Sequence, residues 1–281
     1  MSLIVPPWCF ANEVDNVTGT PTTNWGTTVT PGTSNADGTA ATLLSALAFD
    51  VHYLVVGFAG INVSTAAEYA LADILLDPAG GTSWRTFIDD LLVGFLADAA
   101  NGNQRIWYHF PIFIKAGTSI GSRIRTSHTV APTNPRAVIY ALGNPSRPVM
   151  WWCGSAVETL GVTAASSIGT SVTPGNTGTF GNWANIGGTT SGRYGSIQIG
   201  WNGTDANVAA LHYHFQIGYR SMPISGIPEV KVSTEATERT YGASLGPIWC
   251  DIPQGTQLQI RGTSSGASEI WAGGLALYGV Y

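Results

Sequence analysis

Charge is what this chain has least of. Only 10% of its 281 residues are charged, where a soluble domain carries about 25%. The 12 Lys and Arg against 17 Asp and Glu leave a net charge of -5 and no basic run. That gives no electrostatic footprint for nucleic acid. No stretch of about 18 consecutive apolar residues occurs, which excludes a helical membrane span. The three cysteines, Cys9, Cys153 and Cys250, are an odd count and lie far apart. They do not build a disulfide scaffold and are expected to be buried, reduced thiols. The start, Met1-Ser2-Leu3-Ile4-Val5-Pro6-Pro7, has no basic segment ahead of an apolar core. It predicts no secretory signal, hence synthesis in the cytosol. In place of charge the chain has Thr, Ser, Asn and 35 Gly, with ten Trp, ten Tyr and nine Phe. A surface of that kind repels itself little and suits a protein packed among neighbours.

The chain also repeats itself. Gly26-Thr27-Thr28-Val29-Thr30-Pro31-Gly32 returns 143 residues later as Gly169-Thr170-Ser171-Val172-Thr173-Pro174-Gly175. Val5, Trp8 and Cys9 return as Val149, Trp152 and Cys153, and Gly57-Phe58-Ala59-Gly60 as Gly200-Trp201-Asn202-Gly203. Late in each half, Ile114, Gly117, Thr118, Arg123, Ser127 and Tyr140 match Ile252, Gly255, Thr256, Arg261, Ser265 and Tyr278, all at an offset of 138. Order is kept throughout, as a diverged tandem duplication requires. A unit of this length is a whole domain. The expected division is 1–143 and 144–281, with the stiff segment Gly143-Asn144-Pro145-Ser146-Arg147-Pro148 between the copies.

Short β-branched and aromatic runs recur about every ten residues, separated by Gly, Pro, Asn and Ser. Examples are Val51 to Phe58, Arg105 to Ile114, Tyr194 to Trp201 and Leu211 to Ile217. They predict an all-β chain in which each copy is a sandwich or a barrel. One segment reads two ways. From Trp84 to Leu96 the apolar residues fall at helical spacing. Its counterpart, Met222 to Val232, holds two prolines and alternates like a strand. Strand and short helix both stay open for 84–96.

No catalytic set stands out. His212 and His214 share one face of a strand, where two metal ligands could sit. A solvent-facing pair opposite an apolar stripe is the expectation. Asp89 and Asp90, with Asp73 and Asp77, are the candidates for paired hydrolytic carboxylates. The second copy puts Ile227-Pro228 opposite Asp89-Asp90, so surface or turn carboxylates are expected. Asp77-Pro78-Ala79-Gly80-Gly81 reads as a turn. No catalytic residue, cofactor or metal is assigned. Gly117-Thr118 and Gly255-Thr256 are expected to form the turns that open the strands bearing Arg123 and Arg261. Those arginines are expected to bind carbonyls or a carboxylate at a strand or subunit edge. Phe58, Trp201, Trp8 and Trp152 are assigned to the cores. Trp25, Trp183, Trp249 and Trp271 are the candidates for a ligand or a neighbouring subunit.

Three runs add a resemblance: Asp77-Pro78-Ala79-Gly80-Gly81-Thr82-Ser83, Ile88-Asp89-Asp90-Leu91-Leu92-Val93-Gly94, and Phe110 to Thr118 followed by Arg123. Together they resemble a jelly-roll module of tailed bacteriophages, which implies two tandem antiparallel β-sandwich, jelly-roll-like domains. Similar modules read Ile-Pro-Ala-Gly-Thr before the arginine strand. The second copy has Ile252-Pro253-Gln254-Gly255-Thr256, whereas the first has Lys115 in place of the proline. The second copy lacks the Asp-Pro-Ala-Gly turn. The resemblance spans about half of each copy and implies a non-enzymatic structural protein of the virion: a tail, fibre-attachment or capsid-surface (decoration) component. The expected partners are copies of itself, as a trimer presenting six similar domains, and other virion proteins. The alternative is a carbohydrate- or host-receptor-binding module that uses exposed Trp and Tyr. A glycan hydrolase ranks third, because the copies share no carboxylate pair.

Overall fold

The computed structural model describes residues 9–11, 26–59, 69–95, 105–127, 135–143, 152–162, 169–205, 212–227, 229–233, 243–266 and 271–281. Every strand pairing is antiparallel. The first half supplies β1 (Cys9–Ala11), β2 (Thr27–Thr28), β3 (Ala41–Leu44), β4 (Val51–Ala59), β5 (Tyr69–Asp77), β6 (Arg85–Phe95), β7 (Arg105–Phe110), β8 (Ser119–Thr126) and β9 (Arg136–Gly143). The second supplies β10 (Val157–Leu160), β11 (Thr170–Ser171), β12 (Ala184–Thr189), β13 (Tyr194–Asp205), β14 (His212–Tyr219), β15 (Met222–Pro223), β16 (Val230–Ser233), β17 (Ala243–Ile252), β18 (Gln257–Ser264) and β19 (Trp271–Val280).

Among the described residues, no sheet mixes strands of the two halves. The first forms β1-β9-β4-β7, with β2 also on β9, over β3-β8-β5-β6. The second forms β10-β19-β13-β17, with β11 on β19, over β12-β18-β14-β15, with β16 on β14. Both copies share this jelly-roll order, with β15 and β16 of the second standing beside β14 where β6 stands beside β5 in the first. The central pairings keep their register. Val55 faces Tyr140 in the first copy, and Gln198 faces Tyr278 in the second.

The cores follow from alternation. In β14, Tyr213, Phe215 and Ile217 are buried while His212 is exposed and His214 half-buried. A period of two puts every second side chain on the same face. The segment read two ways is a strand, β6, and the reason is local. Pairing of β5 with β6 shifts register between Ala70 and Leu71, between Ala72 and Ile74, and between Ile74 and Leu75. Each irregularity gives β6 an extra residue against β5. Inserted residues stretch the two-residue period, so Ile88, Leu91 and Leu92 come to share one core at a spacing that imitates a helix. Asp90 takes a φ of 58° within this stretch, a conformation that aspartate tolerates better than most side chains.

The two sandwiches are not merely tethered. The core of the first includes Ala276, Tyr278 and Val280 from β19 of the second. The second core contains Leu275 and Leu277 from the same strand. One face of β19 therefore serves its own sandwich and the other serves its neighbour.

Candidate functional site

Three places collect side chains beyond what folding each sheet requires. The first is the outer face of β3-β8-β5-β6. The turns leading to its central strand and to β18 are alike. Gly117 and Gly255 have φ of 86° and 78°, where a Cβ would be strained. Gly117 N–H donates to Leu47 O at 2.7 Å, and Gly255 N–H to Thr190 O at 2.8 Å. Thr118 and Thr256 are buried beside them. Six residues on, Arg123 Nε donates to Asp73 Oδ2 at 2.6 Å across β5, and its Nη1 lies 3.0 Å from Asp37 Oδ2. Arg125 pairs with Asp90 and, at 3.3 Å, with Asp37. Asp73 Oδ1 accepts the Asp90 N–H at 3.0 Å, so each of its oxygens has a partner.

Carboxylate oxygens of Asp73, Asp89 and Asp90 lie within 4.8 Å of one another. That spacing would suit a divalent cation or an acid pair. Two guanidiniums already occupy two of the three carboxylates. The arrangement therefore acts as a charge clamp across β5, β6 and β8. Asp73 and Asp90 are buried, which corrects the expectation of surface carboxylates. The extra residues in β6 bring Asp89 and Asp90 onto the face that Asp73 occupies. Asp77 does form a turn: its oxygens accept Ala79 N–H at 2.9 Å and Ser83 N–H at 2.8 Å. These bonds to the charged form hold its carboxyl below the usual range.

Asp89 goes the other way. Desolvation, then the adjacent Asp73 carboxylate, raise it to about 6. Folded, Asp89 keeps its proton to about pH 6, but in the unfolded chain only to about 4. The native state then binds more protons across that window, and stability falls as pH rises through it. Asp89→Asn is expected to stabilise by ~1 kcal/mol at pH 7, a figure reduced for the solvent at its exposed side, and to change nothing below pH ~4. Urea midpoints of both proteins at the two pH values check this.

The second copy keeps the arginine and replaces its surroundings. Arg261 Nε donates to Gln216 Oε1 at 2.9 Å, the register equivalent of Asp73. Its guanidinium lies over Phe180 at 4.6 Å and Trp183 at 4.5 Å. Ion pairing in one copy has become cation–π stacking in the other, around one retained side chain. Trp183 is thus half-buried under Arg261. On the same face, His214 Nδ1 lies 3.7 Å from Glu229, a carboxylate that the sequence reading of the His pair had not placed there.

The second place is the junction between sandwiches. The Tyr278 hydroxyl accepts Leu92 N–H at 2.8 Å and donates to Asp90 O at 3.0 Å. Its ring meets Tyr108 and Phe110 edge-on, at 5.3 and 6.4 Å between centroids. On β7, His109 N–H donates to Gln198 Oε1 at 3.1 Å, and Trp107 O accepts the Ser244 hydroxyl. The free edge of one sheet is thereby closed by side chains of the other copy. Next to it, Gly154 N–H donates to Pro111 O at 3.0 Å, and Phe113 N–H to Gly154 O at 2.8 Å. The repeat had marked Tyr140 and Tyr278 as equivalent. Which of the two reaches across was not readable from it.

The third place is aromatic. Trp249 is 54% exposed and Trp152 45%. Their rings meet edge-on, 6.1 Å apart at 81°. Trp152 lies across Gly195, where a Cβ would come within 2.4 Å of its ring. Its assignment to the core is therefore corrected: the missing side chain at Gly195 makes a shelf on the outside of the sheet. Nearby on the same strand pair, Arg193 and Asp251 form an exposed two-bond ion pair, both contacts 2.6 Å. Trp8 and Trp25 lie outside the described residues, and Trp271 is placed by its backbone pairing with Asp205.

The three thiols are half-buried and none is in a disulfide. Burial and then Asp251 push the Cys250 thiol up to about 12. No protein-family model matches this chain, and no curated protein matches it.

Proposed function

We propose that this chain is a non-enzymatic structural protein that works by assembly, as a tail, fibre-attachment or capsid-surface component of a bacteriophage virion. The observation that carries the assembly reading is the junction itself. Two copies of one fold already bind each other head to tail within the chain. The outer face of one sheet closes the open edge of the other sandwich through Tyr278, Gln198 and Ser244. The low charge of the whole chain supports the same reading, since surfaces of Thr, Ser and Gly cost less to desolvate when covered than charged ones. The virion setting rests on the resemblance of the turn and arginine-strand motifs. Sedimentation of the purified chain tests assembly: a multimer is expected, and a stable monomer at every concentration argues against it.

One observation favours a second reading, binding of a glycan or host receptor. Trp152 and Trp249 present two exposed ring faces at right angles, with the Arg193–Asp251 pair beside them as hydrogen-bonding groups. Such rings join a broad apolar face to a polar edge, which suits a sugar. Titrating mono- and oligosaccharides against tryptophan fluorescence tests it. Quenching that disappears in Trp249→Ala supports the reading; an unchanged signal in every sugar sinks it.

A further inference from the structure

The first sandwich is closed at its β6–β7 end by the second; the corresponding end of the second sandwich is more open. Pairing fixes the correspondence. Leu245 faces Ile199 as Tyr108 faces Val56, and Ile248 faces Ile197 as Phe110 faces Leu54. Tyr108 and Phe110 are fully buried under Tyr278. Leu245 and Ile248 are only half-buried, as are Ile224 and Ile227 on the rim of the same core.

The face that does the closing also exists twice. In the second copy it is built from facing pairs: Tyr278 with Gln198, Ala276 with Gly200, Val280 with Ser196. In the first copy the same places hold Tyr140 with Val55, Val138 with Gly57, and Leu142 with Tyr53. The tyrosine and the glycine are kept, but the Trp107 ring of the same sandwich lies across Gly57 and stacks on Tyr140 at 6.0 Å, where Gly200 instead receives Tyr108 of the other sandwich. Gln198 and Ser196 are replaced by Val55 and Tyr53, so this face is the more apolar of the two.

We propose that the β16–β17 end of the second sandwich binds the outer β9–β4 face of the first sandwich of another copy of this chain, repeating between molecules the contact made within each. This rests on the assembly reading and names its surfaces. The contact is heterologous: each chain offers one end and one face. Successive chains then close into a ring if the rotation closes, and otherwise grow a filament.

A mixing experiment tests it. Leu245→Lys disables the end, and Val55→Lys disables the face. Each variant alone should sediment as the 29.5 kDa chain. Mixed, they should form a one-to-one dimer and nothing larger, because one intact end meets one intact face. Circular dichroism and urea unfolding check that each variant folds. If Leu245→Lys does not, Ile227→Lys disables the same end from the segment after β15. A wild-type monomer at the highest soluble concentration overturns the proposal together with self-assembly. A wild-type multimer that both variants preserve overturns the proposal and leaves the assembly reading standing. Single variants that stay monomeric when mixed also overturn it, since they point to a symmetric contact.

Discussion

Tyr278→Ala is expected to destabilise the protein by ~4 kcal/mol, the cost of emptying a fully packed aromatic site. The loss should appear in the first sandwich, although the residue belongs to the second. Tyr278 is completely buried in a core built mainly by residues 29–141. Its hydroxyl is also the partner of two backbone groups on β6, the Leu92 N–H and the Asp90 carbonyl. Tyr278→Phe keeps the ring and leaves both groups without that partner, which costs ~2 kcal/mol. Urea unfolding followed by near-ultraviolet circular dichroism measures both. A change below about 0.5 kcal/mol for Tyr278→Ala, as for a surface substitution, would mean that the two sandwiches do not share this contact in solution.

Arg123→Ala is expected to cost ~3 kcal/mol, because it strands a buried carboxylate. Asp73 is 3% exposed and has Asp89 and Asp90 as close neighbours. Without the guanidinium, Arg125 alone is left to face Asp37, Asp73, Asp89 and Asp90. The same substitution at the repeat-equivalent Arg261 removes a hydrogen bond to a neutral Gln216 and two ring contacts. It leaves no buried charge behind, so ~1 kcal/mol is expected there. The double variant Arg123→Ala with Asp73→Asn should recover part of the loss, since the stranded charge goes with its partner. Equal losses at Arg123 and Arg261, with no recovery in the double variant, would overturn the charge-clamp account.

Duplication, strand content and sandwich class were legible in the residues, because each has a one-dimensional signature. Repeated turns mark the copies, and a two-residue alternation marks strands such as β14. The Gly-Thr turns were legible for the same reason, since left-handed backbone is a demand made on a single residue. β6 was only half legible. Its extra residues are defined against β5, and a pattern read along one strand has no access to its partner. The carboxylate cluster was underestimated for that reason: Asp73, Asp89 and Asp90 meet only once β6 is stretched.

Local signals thus determined what kind of protein this is: two copies, all strand, weakly charged, with an arginine kept in each. Tertiary structure decided what the copies did with it. It put one tyrosine of an equivalent pair into the neighbouring core, wrapped one arginine in carboxylates and the other in aromatic rings, and laid Trp152 on a glycine shelf outside its own sheet. The physical reason is range. Backbone preference and alternation act over a few residues and are written along the chain. Burial and charge pairing depend on residues up to 188 positions apart, as for Tyr278 and Asp90, which folding alone brings together.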